Sequence, residues 1–528
     1  MDIFVSWLLL TIAWFKPTLP RKKKEIKSWV SSQVISLIIG ALISMFLLYF
    51  IMPPTMWFVI VPVFFCFLML NNGVRGLLGS DYSGVLAVLS ALAVVIALLA
   101  FTFAGVWNAE DLHRIPEVTE APAGSIPDMI STEHIRTVPK ETAEWKADKK
   151  VGEYGYKFEI QEAHIQFRDG DLKWLVPFEY GGDYKAWKYG DEGTNGYVKV
   201  SAEKPNAEAE RVSGFSMKYI PSAVFGYDLQ RHVYFSYPAF YQKESVFQLD
   251  DKGKPIYVTM LTRPTIAYTG EVPAGIVITD TQTGDMNYYD MNGIPAYIMR
   301  AMDESLTENY LSWWGAYVHG FWNAQFSQKD VKKPTGSLSI STKEGAEEKI
   351  VDEGSEPDVY LIYGNNGKLY WFTSITTSGK DMSMVGYTLT DVFTGQTVFY
   401  KTEGYFNDIG AAKNVQQHAE VSKVMGFRVS QPIMYIIEGN ETWIIPVLAS
   451  TNEVRAFGVV HGKTGTTFVK EKLEDAIAEY KTWLTGSALS PQEVSKLAGD
   501  IIATIIIQRG QEKQEIPVYR NTTIVIRS

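Results

Sequence analysis

The sequence predicts an α+β protein: N-terminal transmembrane helices precede tandem units of an antiparallel sheet plus a helix, and a small β module ends the chain. Two observations predict this class. Residues 1–106 hold long apolar runs with few charges, and the remaining four-fifths repeats one pattern of strand, break, strand and turn. A sheet with one apolar face has to bury it, and a helix laid on that face gives an α+β layer.

Three apolar runs predict transmembrane helices, because about 20 residues of helix cross a bilayer. The runs are residues 34–52, 54–70 and 85–106, and the middle run is short for a span. Pro53 and Pro54 separate the first two runs, which predicts a hairpin with almost no loop. We therefore expect residues 1–106 to be a membrane anchor of three transmembrane helices plus a short N-terminal apolar helix.

The opening segment, residues 3–15, is apolar but shorter than a spanning helix usually is. We interpret it as an interfacial or partly inserted helix, with a fourth, thin span as the alternative. A cleaved signal peptide is disfavoured, because the basic cluster follows this run instead of preceding it.

Basic residues ahead of the first long run predict the orientation, since short loops rich in Lys and Arg stay cytoplasmic. These residues are Lys16, Arg21, Lys22, Lys23, Lys24 and Lys27. Arg75 lies in the second loop on the same side. The third helix then leaves the cytoplasm, so we expect residues 107–528 to be extracytoplasmic, on a bacterial cytoplasmic membrane.

Charge and cysteine content exclude some classes of function. The chain has a net charge of −10, but residues 1–106 carry +4, so the rest carries −14. A surface this acidic repels phosphate backbones, and we expect no nucleic-acid partner. Cys66 is the only cysteine, which rules out an intrachain disulfide and a cysteine-based metal cluster.

The repeated pattern is a Gly, an aromatic residue four positions later, an apolar run, a break, a second β-rich run and Asp-x-x-Thr-Gly. It occurs as Gly367 with Trp371 and Asp391 to Gly395, as Gly253 with Tyr257 and Asp280 to Gly284, as Gly439 with Trp443 and His461 to Gly465, and as a worn copy with Gly170 and Trp174. In such turns Asp accepts hydrogen bonds from nearby N–H groups and Gly is left-handed. We interpret Asp280, Gly284, Asp391, Gly395 and Gly465 as structural turn residues. In the fourth copy His461 replaces the Asp, which leaves a different type of turn as an alternative there.

Composition sets the boundaries between these parts. We expect a linker at 107–150, a first ectodomain part at 151–328 with copies one and two, a charged loop or boundary at 329–358, a second part at 359–486 with copies three and four, and the C-terminal β module at 487–528. In the module we expect strands near 500–508, 515–519 and 522–527. The aromatic sequence HVYFSY, residues 232–237, predicts strands before the second copy.

Copies two and three resemble the PepSY module of peptidase propeptides and of exported or membrane-anchored bacterial proteins. The resemblance covers about 50 residues per copy and rests on two strands followed by Asp-x-x-Thr-Gly. The whole arrangement is similar to uncharacterised membrane proteins of Gram-positive bacteria, their phages and mobile elements. The resemblance implies protein binding or peptidase regulation and brings no catalytic residues with it.

One segment combines aromatic residues at helical spacing. The spacing predicts a helix over residues 298–326 with a broad aromatic face. Its members Trp313, Trp314, Tyr317, Phe321 and Trp322 form a candidate binding surface, because aromatics concentrate in binding hot spots. Core packing between tandem units is the alternative.

Reactive motifs are weak or missing in this sequence. The stretch 458–464 is one residue short of a phosphate loop, and no histidine pair has zinc-ligand spacing. Asp280, Asp285, Asn287 and Asp290 lack the spacing of a calcium loop. We predict no catalytic, cofactor-binding or metal-binding residue from local motifs; a dispersed active site stays open, and perturbed carboxylates clustered in one deep pocket would support it.

These observations favour a non-enzymatic envelope protein whose ectodomain binds another envelope protein or a second copy of itself. A regulator or inhibitor of an exported peptidase is one alternative. A component of a secretion, conjugation or phage membrane complex is another, and an enzyme with a dispersed site is the last.

Overall fold

The computed structural model describes residues 1–15, 23–77, 81–122, 124–127, 130, 132–152, 155–266, 268–341, 349–357, 359–377, 383–485, 501–509 and 512–519. Helix accounts for 37% of the chain and strand for 31%, so the mixed class is confirmed. The expected strand at 522–527 lies outside the described residues.

The helices fall into an apolar N-terminal group and a group dispersed among the sheets. They are α1 (Ile3–Ile12), α2 (Ile26–Phe46), α3 (Trp57–Leu77), α4 (Asp81–Trp107), α5 (Ala109–Arg114), α6 (Lys140–Asp148), α7 (Asp183–Tyr189), α8 (Leu229–Ser236), α9 (Glu304–Ala316), α10 (Gly320–Trp322), α11 (Asp408–Gln417), α12 (Ala419–Ser422) and α13 (Leu473–Thr485). Five-residue π-helical turns, Leu47–Ile51 and Asn323–Ser327, continue α2 and α10, and short 3-10 turns occupy Lys23–Glu25 and Phe225–Tyr227.

The strands form four larger sheets, antiparallel except for one parallel pair, and two hairpins. They are β1 (Val118–Glu120), β2 (Phe158–Ile160), β3 (His164–Arg168), β4 (Asp171–Tyr180), β5 (Tyr197–Ser201), β6 (Glu210–Val212), β7 (Tyr241–Leu249), β8 (Pro255–Ile266), β9 (Thr269–Asp280), β10 (Met286–Tyr289), β11 (Lys332–Pro334), β12 (Gly336–Ser341), β13 (Lys349–Pro357), β14 (Tyr360–Tyr363), β15 (Leu369–Thr377), β16 (Ser383–Asp391), β17 (Thr397–Phe406), β18 (Arg428–Val429), β19 (Ile433–Ile437), β20 (Asn440–Leu448), β21 (Val454–His461), β22 (Thr467–Lys470), β23 (Ile501–Arg509) and β24 (Glu512–Tyr519).

The first sheet contains β2 to β6, and the second is the meander β7 to β10. The third is the meander β14 to β17, with β11 added antiparallel to β15 and β1 added parallel to β17. The fourth contains β18 to β22. The strand pairs β12–β13 and β23–β24 are separate hairpins.

Two helices in the N-terminal group are long and apolar enough to cross a membrane. They are the segments Ile26–Ile51 and Gly84–Trp107, and each reaches the length that a bilayer requires. The segments Ile3–Ile12 and Trp57–Gly73 are apolar but shorter. We call residues 1–107 the apolar bundle.

Helix α1 runs antiparallel to α2 inside this bundle. The amino group of Met1 donates to the Thr55 carbonyl at 2.7 Å, near the end of α2, and the Trp7 indole donates to Ala41. At the other end of α1, Asn71 donates to the Ala13 carbonyl at 3.1 Å and Ser36 donates to Trp14. Side chains of neighbouring helices thus donate hydrogen bonds to backbone carbonyls at the end of α1 that have no partner within this short helix.

The four large sheets share one register. The aromatic residue of the repeated pattern pairs with the residue just before the Asp position: Trp174 with Val200, Tyr257 with Thr279, Trp371 with Thr390, and Trp443 with Val460. Each aromatic residue therefore stands beside the start of a turn.

The tryptophans of this position fix the entry of a helix. The indole N–H donates to the backbone carbonyl two residues before a helix begins: Trp174 to Val138 before α6, Trp371 to Met302 before α9, and Trp443 to Phe406 before α11. The Asp303 and Asn407 side chains, between these carbonyls and the helices, cap α9 and α11. In the second sheet the Tyr257 hydroxyl donates instead to the buried carboxylate of Glu179, at 2.6 Å.

The third sheet is central, because it buries both faces. Trp371 belongs to a core shared with the first and second sheets, whereas Phe372 belongs to a core shared with the fourth sheet. Every residue of β15 except the last is buried. Strands buried on both faces are continuously apolar or hydroxylic instead of alternating.

Several expected boundaries were wrong. The expected linker contains α5, β1 and α6, and α6 packs on the first sheet. The expected charged loop contains β11, β12 and β13. The sequence HVYFSY belongs to α8, whose first turn is capped by the Asp228 side chain and whose Leu229 and Val233 share a buried face one helical turn apart.

The prediction of one continuous aromatic helix over residues 298–326 was also wrong. Helix α9 ends at Ala316, and α10 begins only at Gly320, whose φ of +77° is incompatible with a continuous helix. A Cβ at Gly315 would lie 2.2 Å from the Lys332 carbonyl oxygen, so this turn of α9 sits directly on β11.

We expect Trp443→Phe to lower the free energy of unfolding by about 1–3 kcal/mol, because Phe lacks the N–H group and leaves the half-buried Phe406 carbonyl without that donor. Trp443 is fully buried, whereas Trp187 is 65% exposed and makes Trp187→Phe a matched control. Thermal unfolding of the full-length protein, followed by intrinsic fluorescence, measures both. Equal shifts in the two variants would contradict this role of the indole.

Candidate functional site

A cavity of about 570 Å³ lies where the four sheets meet. His164 and Trp174 come from the first sheet, Glu244 from the second and Trp371 from the third. Its wall is rich in charges of both signs, namely Arg136, Lys140, Arg300 and Arg428 with Glu141, Glu144, Glu162, Glu244 and Glu304. We call this space the central cavity.

Two carboxyl groups of the central cavity interact directly. The carboxyl group of Glu162, between β2 and β3, lies close enough to that of Glu244, on β7, for its charge to act on Glu244. Burial tends to raise the pKa of Glu162, but its hydrogen bond and ion pair with Lys140 outweigh that and lower it. Partial desolvation, followed by the charge of Glu162, raises the pKa of Glu244. Because Glu244 is open to solvent in the cavity, we expect water to limit this rise.

A third carboxyl group and a histidine complete the acidic side. Burial raises the pKa of Glu144, although its carboxylate accepts a hydrogen bond from the Ala163 N–H at 3.1 Å. Burial also lowers the pKa of His164 to about 3, so this imidazole is neutral at physiological pH. His164, Glu162 and Glu244 also line a smaller neighbouring cavity of about 290 Å³.

The cationic side chains Arg136 and Arg300 lie against Trp174 and Trp371, two of the three tryptophans that bond a helix entry. The Arg300 guanidinium lies 4.5 Å from the Trp371 ring centre and 3.7 Å from the Glu304 carboxylate. The Arg136 guanidinium lies 5.6 Å from the Trp174 ring centre and donates to Gln431 at 2.9 Å. Stacking and hydrogen bonds fix both cations in place, so their charge is preorganised toward the cavity.

This arrangement can bind a molecule that carries both charges. Carboxylates recognise an ammonium or guanidinium group, and guanidinium groups recognise a carboxylate with paired hydrogen bonds. The carboxyl pair also has the composition of an acid–base site, since perturbed pKa values concentrate in such sites. Among the described residues, no group of three His, Cys, Asp or Glu side chains is placed to hold a metal ion.

The Asp-x-x-Thr-Gly residues lie in turns outside this cavity. Asp280 accepts hydrogen bonds from the N–H groups of Gln282 and Thr283, and Asp391 accepts from those of Phe393 and Thr394. Gly284, Gly395 and Gly465 have φ values of 78°, 73° and 72°. The structure therefore places these residues in equivalent local geometry.

His461 makes the same turn as the aspartates. Its Nδ1 atom accepts from the N–H groups of Lys463, at 3.3 Å, and Thr464, at 3.1 Å. The turn of the fourth copy is thus not different. An accepting Nδ1 requires the neutral imidazole, and burial, followed by the charge of Lys463, lowers the pKa of His461.

The aromatic candidates do not form one surface. Trp313 and Tyr317 are half-buried, and the Trp314 ring packs 5.2 Å from Phe399 of the third sheet. Phe321 and Trp322 lie beyond the break, where α10 approaches α4 and α5. Trp322 is 67% exposed and stacks on Phe326.

Sequence reasoning missed the central cavity. Glu162, Glu244 and Arg300 stand far apart in the chain, and no motif joins them. Glu244 stands among the polar residues Gln242, Lys243 and Ser245, so its sequence neighbours gave no signal of a site.

Comparisons with known proteins identify no family. No family model and no curated protein matches the chain. Among solved structures, an endo-1,4-beta-xylanase from Bacteroides thetaiotaomicron is similar to it at 11% identity and a TM-score of 0.14, over 59% of this chain and 76% of the xylanase. A TM-score this low carries no argument about fold or function.

We expect the His461 turn to lose stability as pH falls below about 6.5, because a folded-state pKa below the unfolded value makes protonation oppose folding. His461→Asp keeps an acceptor for both N–H groups, so we expect it to reduce the loss of thermal stability between neutral and mildly acidic pH. Unfolding temperatures across this range measure the effect. The exposed His319→Asn is the control, and an unchanged pH profile in His461→Asp would refute the assignment.

Proposed function

We propose that this protein is a membrane-anchored, extracytoplasmic binding protein whose sheets are tandem PepSY-like units and whose central cavity receives a charged segment of a protein partner. The single observation that carries the proposal is the central cavity itself. It lies between the sheets, and both cations and carboxylates line it.

The anchor part of the proposal rests on the apolar bundle. Two of its helices are long and apolar enough to cross a bilayer, and the α4 segment has only 6% of its most apolar window buried inside the protein. An apolar helix so little buried needs an apolar surrounding, which a bilayer supplies. The basic residues ahead of α2 support a cytoplasmic side there and an extracytoplasmic large domain.

The PepSY-like part rests on the shared register. Four sheets place an aromatic residue opposite the residue before the turn, and three of them use its indole for the same bond to a helix entry. Tandem duplication of one unit accounts for this coincidence. A partner segment bound between units would contact several copies at once.

The mixed charge of the cavity favours a peptide over other ligands. A peptide offers ammonium, guanidinium and carboxylate groups in one short segment, and backbone groups fill the remaining hydrogen bonds. The carboxylates repel phosphates, in line with the acidic surface. The segment can belong to another envelope protein, to a peptidase that the protein regulates, or to a second copy of this chain.

A second candidate function is a hydrolase with a dispersed site. The neighbouring carboxyl groups of Glu162 and Glu244, with Glu144 in the same cavity, specifically favour it. A carboxyl group with a raised pKa can donate a proton while its ionised partner accepts one.

The test uses the full-length protein in lipid nanodiscs and a synthetic peptide library that varies the order of acidic, basic and neutral residues. We expect enrichment of peptides that carry both charges. Glu244→Gln should weaken their binding about tenfold, the effect of about 1.4 kcal/mol. Glu403→Gln, whose side chain is 88% exposed, should leave it unchanged.

Two results would decide between the proposals. Binding that ignores both Glu244→Gln and a cavity-filling Val246→Trp would overturn the binding function. Cleavage of bound peptides by the wild type, lost in Glu162→Gln and in Glu244→Gln, would establish the hydrolase instead. Mass spectrometry of the recovered peptides measures both outcomes.

A further inference from the structure

An apolar groove of about 610 Å³ opens between α3, α4 and the connection from β8 to β9. We call residues 263–266 and 268 the hairpin tip. The helices contribute aromatic and aliphatic side chains to the groove, and the tip contributes Pro264, Thr265 and Tyr268. The apolar bundle thus lines one side of the groove, and the second sheet lines the other.

A proline in α3 explains why the hairpin tip docks here. Pro62 lies inside the helix and has no N–H group, so the Phe58 carbonyl four residues earlier lacks its intrahelical partner. The Tyr268 hydroxyl donates to this Phe58 carbonyl at 2.7 Å. The Tyr268 ring also packs edge-on against Phe58 and Phe101. A backbone carbonyl without a hydrogen-bond donor is unfavourable in an apolar surrounding, and Tyr268 of the tip supplies the donor.

The shape of the groove depends on small residues opposite Pro62. Ala93 and Ala97 line it one turn apart on α4, next to Ile96. A larger side chain at Ala93 would project into the space. On another side of the same helix, Leu99 is 50% exposed and does not line the groove.

Polar and interfacial residues lie at the rim. Arg263 is exposed immediately before Pro264, on the strand that carries the tip. Trp57 lines the groove and is 69% exposed. Tryptophan and cationic side chains favour the headgroup level of a bilayer, and a cation there attracts lipid phosphate. The groove therefore combines an apolar interior with a basic rim, which matches the two ends of a phospholipid.

We propose that this groove binds one acyl chain of a membrane phospholipid, with the lipid phosphate near Arg263. The inference rests on the membrane location in the proposed function. The bound lipid fills the space between the apolar bundle and the second sheet and contacts both of them.

The test reconstitutes the full-length protein in vesicles of phosphatidylglycerol and phosphatidylcholine that contain a phospholipid with a photoreactive group in its acyl chain. We expect light to attach this lipid to peptides that contain residues 57–65 or 93–97. Ala93→Trp should reduce the attachment about tenfold, the factor expected from about 1.4 kcal/mol. Leu99→Trp should leave it unchanged.

Arg263→Gln provides a variant at an exposed position of β8 that leaves the groove walls intact. We expect it to reduce the preference for phosphatidylglycerol over phosphatidylcholine about fivefold. Attachment that is equal in wild type and Ala93→Trp would overturn the groove, and so would attachment confined to peptides outside residues 57–65 and 93–97.

Carbonate extraction of the membranes separates the two levels of failure. If the wild-type protein is released by carbonate, the membrane location fails and the groove fails with it. If the protein stays in the membrane but the attachment does not depend on Ala93, only the lipid site is wrong.

Discussion

The fold depends on one hydrogen bond, buried or partly buried, that recurs in three sheets, from a tryptophan indole to the backbone carbonyl two residues before a helix. The residue that carries this carbonyl is also held by its own N–H group. Val138, Met302 and Phe406 donate to Ala202, Val392 and Gly462, which each follow the Asp position of the pattern. The segment entering each helix is therefore fixed between a strand and a turn, and the helix direction follows from these two bonds.

This constraint also builds the central cavity. Trp174 and Trp371 must keep their indole N–H groups directed at the helix entries, so their rings remain at the junction of the sheets, where Arg136 and Arg300 stack on them. Lys140 starts α6 just beyond the carbonyl that Trp174 holds. The charges of the cavity thus stand on elements that the framework bonds have already oriented. A binding site on such elements loses little entropy when it orders a ligand.

Local chemistry could be predicted from the sequence, whereas long-range assembly could not. The turn residues follow from Asp and Gly chemistry within five positions, and the apolar runs follow from composition alone. The prediction missed helix α8 because HVYFSY alternates as a strand does. The Asp228 cap and the buried pair Leu229 and Val233, one helical turn apart, stabilise the helix instead. The cavity could not be predicted, because Glu162 and Glu244 meet only after two sheets have packed, and a single sequence holds no record of that contact.

The second sheet connects the cavity to the apolar bundle. Three donors near it reach bundle carbonyls: Arg231 reaches Tyr49, Tyr234 reaches Pro53 and Tyr268 reaches Phe58. These acceptors lie where a π-helical turn, a Pro-Pro break and Pro62 leave carbonyls open, and at an apolar boundary each open carbonyl requires a donor. Glu244 lies on β7, which pairs with β8, and β8 leads to the hairpin tip. A change at the cavity and a change at the bundle therefore both act on the second sheet.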